Sequence, residues 1–299
     1  MTPRVGWAVG VRTLLRTSDG GRHWAPAGEP ARALRSVDFV TAAHGWGIAG
    51  GVPRGYYGSE QASWPFAGGM LVRTLNGGRT WAAQPAAGPV ESVCFDHNGA
   101  GWAAHGATVR RTRDGGRTWR TVVTFPLHDS CGPVNSTLGW FATIQCAGAT
   151  TAWVLLSGGV GASSQQPYIL YRTGDSGRRW RPVLDEGYFE GASYPSYYST
   201  SYVASGLGNY TGPLSAPDHL TAYIVGLSYS SSPASIVIAA TRDGGRTVRR
   251  LCAVPGLAAE APLAVTFVDA THGWVAGTTG RGDIILATTN GGRTWTRQV

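Results

Sequence analysis

Short stretches of alternating apolar and polar residues, separated by turns rich in Gly, Asn and Asp, recur along the chain. In the last stretch, Leu263 to Val268 alternates and ends at Asp-Ala-Thr-His, which predicts a strand and a tight turn. Three further strands are predicted at Gly273–Gly277, Asp283–Thr288 and Arg293–Val299, the last two joined by an Asn-Gly-Gly hairpin turn. No helical period persists over a useful length. Repeated units of four antiparallel strands predict the blades of a β-propeller.

Six hairpin segments follow the pattern Thr-x-Asp/Asn-x-Gly-x-Thr-Trp; Thr112–Trp119 is the fullest copy, and one copy ends in Val248 instead of Trp. Each follows a Gly-Trp pair or a degenerate form of it, such as Gly45-Trp46 or Ala222-Tyr223. We expect the Asp or Asn to accept backbone N–H groups across the turn, and the hairpin Trp to be a buried clamp. The residues predicted to serve the scaffold in this way are Asp19, Trp24, Asn76, Trp81, Asp114, Trp119, Asp175, Trp180, Asp243, Asn290 and Trp295.

The fold class that these repeats predict is all-β, a single β-propeller of four-stranded antiparallel blades over residues 1–299. We expect six blades, with seven as the alternative, at about 1–29, 30–88, 89–126, 127–185, 186–256 and 257–299. The first blade is expected to lack its inner strand, because Met1 aligns with Val40 of the second repeat. This alignment predicts an amino-terminally truncated chain whose missing piece holds at least one strand.

These motifs resemble the Asp-box, also called the bacterial neuraminidase repeat. The combination of the hairpin with the Gly-Trp pair is most similar to propellers related to the photosystem II stability and assembly factor. The resemblance covers nearly the whole chain and implies a sialidase-like propeller fold. It also implies a protein partner, with a membrane-associated protein as one option, and an extracytoplasmic location. Asp-boxes occur in glycosidases, sorting receptors and assembly factors alike, so the function has to be argued from the site.

The formal net charge of +8 comes entirely from arginine, since the chain has no lysine. One hairpin position carries Arg in all six repeats: Arg22, Arg79, Arg117, Arg178, Arg246 and Arg293. A basic ring of this kind could attract an acidic partner. The structural alternative, which we favour, is hairpin decoration paired locally with the hairpin Asp. Nucleic acid is not expected as a partner, because the arginines lie among aromatics that are predicted to be buried.

Several candidate chemistries are disfavoured by the sequence. The cysteines are Cys94, Cys131, Cys146 and Cys252, and their spacing includes no CxxC, so zinc is not expected. No metal site and no cofactor are predicted. Cys131 and Cys146 could form a disulfide, and four free thiols are the alternative. Gly174–Gly177 looks like a trypsin-type nucleophile segment but falls in the register of the hairpin repeat. A sialidase would need an Arg-Ile-Pro motif, which is absent, and ordinary glycosidases need two facing carboxylates, which are not recognisable.

Long insertions rich in aromatic residues point to a binding function. If the repeated hairpins join the third and fourth strands of each blade, then the insertions 52–69, 158–167, 186–212 and 228–235 leave from the opposite end. Tyr and Trp bury area and keep a polar group, which suits recognition of protein or glycan. The candidate ligand- or partner-binding residues are Tyr56, Tyr57, Trp64, Phe66, Tyr188, Tyr194, Tyr197 and Tyr198.

The sequence therefore predicts a non-catalytic, monomeric binding or assembly scaffold that recognises a protein partner through these loops. The alternative is a carbohydrate-active propeller, sialidase-like or another glycoside hydrolase, or a glycan-binding one. No catalytic residue is proposed. No apolar run reaches the length of a membrane span, and no signal segment is recognised in the sequence.

Overall fold

The computed structural model describes residues 4–9, 13–20, 22–28, 33–50, 68–126, 128–129, 132–133, 140–158, 168–186, 210–228, 235–251, 254, 262–279 and 282–298. The described residues form two compact units, the first ending at Pro126 and the second beginning after it. Both are built from antiparallel sheets that are the blades of a β-propeller, so the predicted fold class is confirmed.

The first unit contains three blades and one short 3-10 helix, Pro85–Ala87. The strands of its first sheet are β1 (Gly6–Val9), β2 (Leu14–Thr17) and β3 (Ala25–Gly28). The second sheet holds β4 (Leu34–Phe39), β5 (Gly45–Ala49), β6 (Gly69–Thr74) and β7 (Ala82–Ala83), with β8 (Pro89–Val90) also paired to β6. The third holds β9 (Ser92–Phe95), β10 (Gly101–His105), β11 (Thr108–Thr112) and β12 (Arg120–Thr124).

The second unit begins with a two-stranded ribbon, β13 (His128–Asp129) and β14 (Gly132–Pro133), and continues with three four-stranded sheets. The strands of these sheets are β15 (Phe141–Ala147), β16 (Thr151–Ser157), β17 (Tyr168–Thr173) and β18 (Arg181–Glu186); β19 (Tyr210–Ser215), β20 (Ala222–Ser228), β21 (Ser235–Thr241) and β22 (Arg249–Arg250); and β23 (Pro262–Phe267), β24 (Gly273–Thr279), β25 (Gly282–Thr288) and β26 (Thr296–Arg297).

The sequence-predicted strands of the last blade agree with β23 to β25 within a few residues, but the fourth strand is shorter than predicted. Among the described residues, Thr296 pairs with Ala287 and Arg297 with Leu286. Across the described residues the first sheet has three strands, β1 to β3, as the alignment of the repeats predicted.

The repeated hairpin is held by hydrogen bonds that its own pattern supplies. In the third copy, Thr112 Oγ1 donates to Asp114 Oδ1 at 2.7 Å and accepts from the Gly116 N–H at 3.1 Å. Asp114 Oδ1 then accepts from the N–H groups of Arg117 and Thr118. The turn favours Gly at 115 and 116, because both have φ in the left-handed region, +73° and +92°. The predicted role of the hairpin Asp as a backbone acceptor is therefore confirmed.

Burial of the aromatic side chains differs from the sequence-based expectation. The hairpin Trp is only partly buried, and Trp24 is 43% exposed. The rings of Trp46, Trp102 and Tyr223, at the Gly-Trp position of their blades, are instead fully buried, whereas Trp7 is partly buried and Trp274 is 38% exposed. Three stacked pairs join the ring at this position to a Phe one blade further on: Trp7 to Phe39, Trp46 to Phe95 and Tyr223 to Phe267. The hairpin Trp contributes the outer, edge-on contact to the same Phe, as Trp119 does to Phe95.

The sequence left open whether the cysteines form a disulfide or are all free thiols. Cys94 on β9 and Cys146 on β15 are both disulfide-bonded. The alternative of four free thiols is therefore wrong. Cys131 and Cys252 lie outside the described residues.

Candidate binding surfaces at the two ends of the blades

Strand pairing gives every blade two distinct ends. The hairpin end carries the repeated hairpins together with the turn between the first two strands. Gly77 N–H donates to Ala43 O and Gly115 N–H to Gly99 O, which fixes turn and hairpin side by side. The loop end is the opposite one. Ala49 pairs with Met70 at the loop end of β5 and β6, so the chain between these strands leaves the blade there.

The other insertions leave the second unit at its loop end. Ser157 pairs with Tyr168, Tyr168 also pairs with Glu186, and Ser228 pairs with Ser235, all remote from the hairpins. The strand registers thus agree with the expectation that the insertions leave the blades at the end opposite the hairpins. The predicted binding residues in these insertions, Tyr56, Tyr57, Trp64, Phe66, Tyr188, Tyr194, Tyr197 and Tyr198, lie outside the described residues.

The arginines of the hairpin end are exposed and are not neutralised by the hairpin carboxylates. Arg22, Arg79, Arg117, Arg178, Arg246 and Arg293 are all exposed. The hairpin Asp instead accepts from Thr and backbone groups, and these bonds hold the pKa of Asp114 well below its usual range. The expectation that the hairpin arginines pair with this Asp is wrong: over the described part of the chain, the ion pairs link His23 to Asp19, His105 to Glu91 and His272 to Asp269.

A second set of arginines, just before the hairpins, is used inside the fold. Arg16, Arg73, Arg111 and Arg172 each lie over the ring of the second-strand Trp, at 5.1 to 5.7 Å from its centroid. Arg172 also donates from Nε and Nη2 to the carbonyl of His219 in the next blade. Burial lowers the pKa of the Arg172 guanidinium. Each cation–π contact joins neighbouring strands of one blade, whereas the hydrogen bonds of Arg172 to His219 link that blade to the next.

One pair of chemically competent side chains at the loop end was missed from the sequence. Glu91 Oε1 lies 3.3 Å from His105 Nδ1, and Glu91 Oε2 accepts from the Gly106 N–H at 3.1 Å. Glu91 is largely buried, with 13% of its side chain exposed. The described chain resumes after the first insertion at Gly68, which lies against His105. A Cβ added at Gly68 would lie 2.9 Å from His105 Nδ1. A carboxylate that orients an imidazole is an arrangement that general bases use.

The signal for this pair was weak because neither residue belongs to a repeated position. Glu91 precedes β9, and His105 is the last residue of β10. Their contact depends on the register of these two strands, in which Ala104 lies opposite Ser92. No sequence motif or spacing predicts a contact of this kind.

No helix among the described residues is both long enough and apolar enough to cross a membrane. No known family model matches the chain, and no curated protein matches it in sequence.

Solved structures do resemble it. A structure of YCF48 bound to a D1 peptide is 18% identical and covers 100% of this chain and 80% of its own, with a TM-score of 0.53. YCF48 from Cyanidioschyzon merolae is 15% identical, covers 98% of this chain and 80% of its own, and has a TM-score of 0.54. A GH74 xyloglucanase from Xanthomonas campestris is 15% identical and has a TM-score of 0.57; it covers 99% of this chain, which spans only 44% of the enzyme. At such identities the likeness shows the β-propeller fold, which binding proteins and glycoside hydrolases share.

Proposed function

We propose that this propeller is a non-catalytic scaffold that binds a protein partner through the insertions at the loop end. The observation that carries the proposal is the strand register, which directs the insertions away from the hairpins. The first insertion begins after β5, and the largest lies between β18 and β19. Both have the aromatic-rich composition of a recognition surface. Similarity over the whole chain to a propeller that was solved with a bound peptide supports the same function.

The finer parts of the proposal come from the resemblance to the Asp-box and to assembly-factor propellers. We expect a partner that is membrane-associated, and an extracytoplasmic location for the complex. The disulfide-bonded state of Cys94 and Cys146 supports this location, because disulfides persist in oxidising compartments.

The test is affinity capture of the partner with four forms of the chain. Trp64→Ala and the double change of Tyr197 and Tyr198 to Ala should release the partner while the melting temperature stays unchanged. Trp24→Ala is the matched control, because Trp24 is an exposed aromatic of the hairpin end. Trp24→Ala should retain the partner. If it releases the partner and the loop variants retain it, the loop end is not the recognition surface.

A glycan-active propeller is the second candidate, and the Glu91–His105 pair is the observation that favours it. It places a largely buried carboxylate at the loop end, beside the first insertion. A glycosidase needs a second carboxylate across the substrate. The test is turnover of sialosides and plant glucans by the native chain and by Glu91→Gln. Turnover that disappears in Glu91→Gln would establish the enzyme and replace the scaffold proposal.

A further inference from the structure

A polar cleft of about 220 Å³ opens at the hairpin end of the first unit. It lies between the turn that follows β4, the turn that follows β9 and the hairpin that follows β11. Four of its lining side chains carry or can carry positive charge: His44, Arg73, His97 and Arg117. Asp114 is the acidic residue of the lining.

The two histidines of the cleft have no acidic partner among the described residues. His272 holds the same repeat position as His44 but has its Nδ1 2.9 Å from Asp269 Oδ2. Thr41 occupies the position of Asp269 in the second repeat, and its Oγ1 accepts only from the backbone N–H groups of residues 43 and 44. The imidazole of His44 is therefore not engaged by an acid as its counterpart is. His97 is exposed on the opposite wall.

Arg73 is likewise unengaged, although its equivalent in the second unit, Arg172, is hydrogen-bonded. Arg172, which holds the same repeat position, donates from Nε and Nη2 to the carbonyl of His219 in the next blade. In the blade after that of Arg73, the Gly115 carbonyl accepts from Trp46 Nε1 at 3.1 Å. Arg73 lies over the Trp46 ring, its Nε is buried without a hydrogen-bond partner, and it forms no ion pair with any residue that the structure describes.

Asp114 forms no ion pair with these groups in the described structure, and its oxygens accept hydrogen bonds from within the hairpin. Oδ1 accepts from Thr112 Oγ1 and from the N–H groups of Arg117 and Thr118. Oδ2 accepts from Thr118 Oγ1 at 2.6 Å. The carboxylate is held in the turn, and the guanidinium of Arg117 remains exposed beside it.

We propose that this cleft is an oxyanion site. Its ligand is a carboxylate of an acidic side chain or a free phosphate or sulfate, since these groups share the acceptor geometry that guanidinium recognises. The terminal nitrogens of Arg73 and Arg117 donate charge-assisted hydrogen bonds to the ligand oxygens. His44 and His97 add N–H donors from the two turns. The site lies at the end opposite the one in the proposed function, and it stands whether or not that function holds.

The test is calorimetric titration of the full chain, at constant ionic strength, with inorganic phosphate, with succinate and with a short poly-aspartate peptide. One saturable site is expected. Arg73→Gln and Arg117→Gln should each weaken binding about tenfold, the loss of one charge-assisted contact. Arg172→Gln and Arg246→Gln are the matched controls, because they hold the same two repeat positions in the second unit. They should leave the affinity unchanged.

The outcomes separate the ligand sources. Tighter binding of the peptide than of succinate or phosphate assigns the site to acidic side chains, and tighter binding of phosphate assigns it to a free oxyanion. Arg73 packs on Trp46, so a melting curve of Arg73→Gln must show that this variant is folded. Arg117 is exposed, and Arg117→Gln keeps the test valid if Arg73→Gln does not fold. Absence of saturable binding, or an equal loss in the control variants, overturns the proposal.

Discussion

Trp46 stacks on Phe95 with ring centroids 3.8 Å apart and ring planes 4° from parallel. The two residues belong to successive blades, and Trp46 also donates its Nε1 to the Gly115 carbonyl of the second of these blades. Trp119 meets the edge of the same Phe95 at 5.9 Å. The buried centre of the junction is thus Trp46, and the hairpin Trp lies at its margin.

This difference predicts unequal costs for removing the two rings. Trp46→Ala should destabilise the protein by about 3–5 kcal/mol, because Trp46 is 2% exposed and its loss leaves a cavity. Trp119→Ala should cost about 1–3 kcal/mol, since Trp119 is only partly buried. Urea unfolding of both variants measures the difference. A larger loss for Trp119→Ala would place the main contact on the hairpin instead.

The hairpin carboxylate can be tested with a substitution that the chain already uses elsewhere. Asn76 and Asn290 occupy the Asp114 position, and each donates from Nδ2 to the second Thr of its hairpin at 2.8 Å. Asp114→Asn should therefore change the free energy of unfolding by less than about 0.5 kcal/mol, whereas Asp114→Ala should cost about 1–3 kcal/mol. Denaturant unfolding at pH 7 checks both values. A cost for Asp114→Asn equal to that of Asp114→Ala would show that the charge, and not the acceptor geometry, holds the turn.

Backbone strain in the fourth hairpin predicts a stabilising substitution. Ser176 has φ of 67° and is the one non-glycine residue with positive φ among the described residues. Four of the other five hairpins have Gly with φ between 69° and 74° at this position, and in the remaining one it is Gly20, with φ of 81°. Ser176→Gly should stabilise the protein by about 1 kcal/mol, because a side chain in the left-handed region is strained. Gly115→Ala is the opposite control and should destabilise. An unchanged or lower melting temperature for Ser176→Gly would contradict the prediction.

Asp38 predicts a pH dependence of stability. Burial raises the pKa of Asp38 from 3.8 to about 6, although the Phe95 N–H, 2.7 Å from Oδ2, favours the charged form. A carboxyl with a raised folded-state pKa binds its proton more tightly in the folded than in the unfolded protein. Its contribution to stability is therefore full below pH 3.8 and is lost as the pH rises through about 6.

Asp38→Asn removes this ionisation and should raise the melting temperature at pH 8. A neutral acceptor suffices at this position, since Ser215 Oγ accepts the equivalent Phe267 N–H at 2.9 Å. The advantage of the variant should shrink between pH 7 and pH 4. Melting curves of both proteins at several pH values give the difference, and a difference independent of pH would show that Asp38 does not titrate in this range.

The sequence was sufficient for what repeats within one blade. The hairpin bonds of Thr112 and Asp114 join residues at fixed spacings, so local turn chemistry predicts them. The stacking partner of Trp46, Phe95, lies in the next repeat. The sequence pattern alone does not show whether Trp46 or the hairpin Trp119 is the more buried ring.

The candidate sites were less predictable because they depend on side chains outside the repeat positions. Glu91 and His105 meet through strand register, and the cleft around Arg73 needs three separate segments. The expected pairing of Arg117 with Asp114 failed for a physical reason. The Thr and backbone donors of the turn reach the carboxylate first, over shorter and less flexible paths than an arginine side chain.

The aromatic stacks between successive blades also mean that these blades share their cores with their neighbours. Trp46 is supplied by one repeat and Phe95 by the next, so the energetic unit is the seam between two repeats. Amide hydrogens of β5 and β9 should therefore exchange together, as one cooperative segment that straddles the repeat boundary. A cut at that boundary would leave Trp46 on one fragment and Phe95 on the other. Fragments that contain both residues of such a stacked pair are therefore the ones to express.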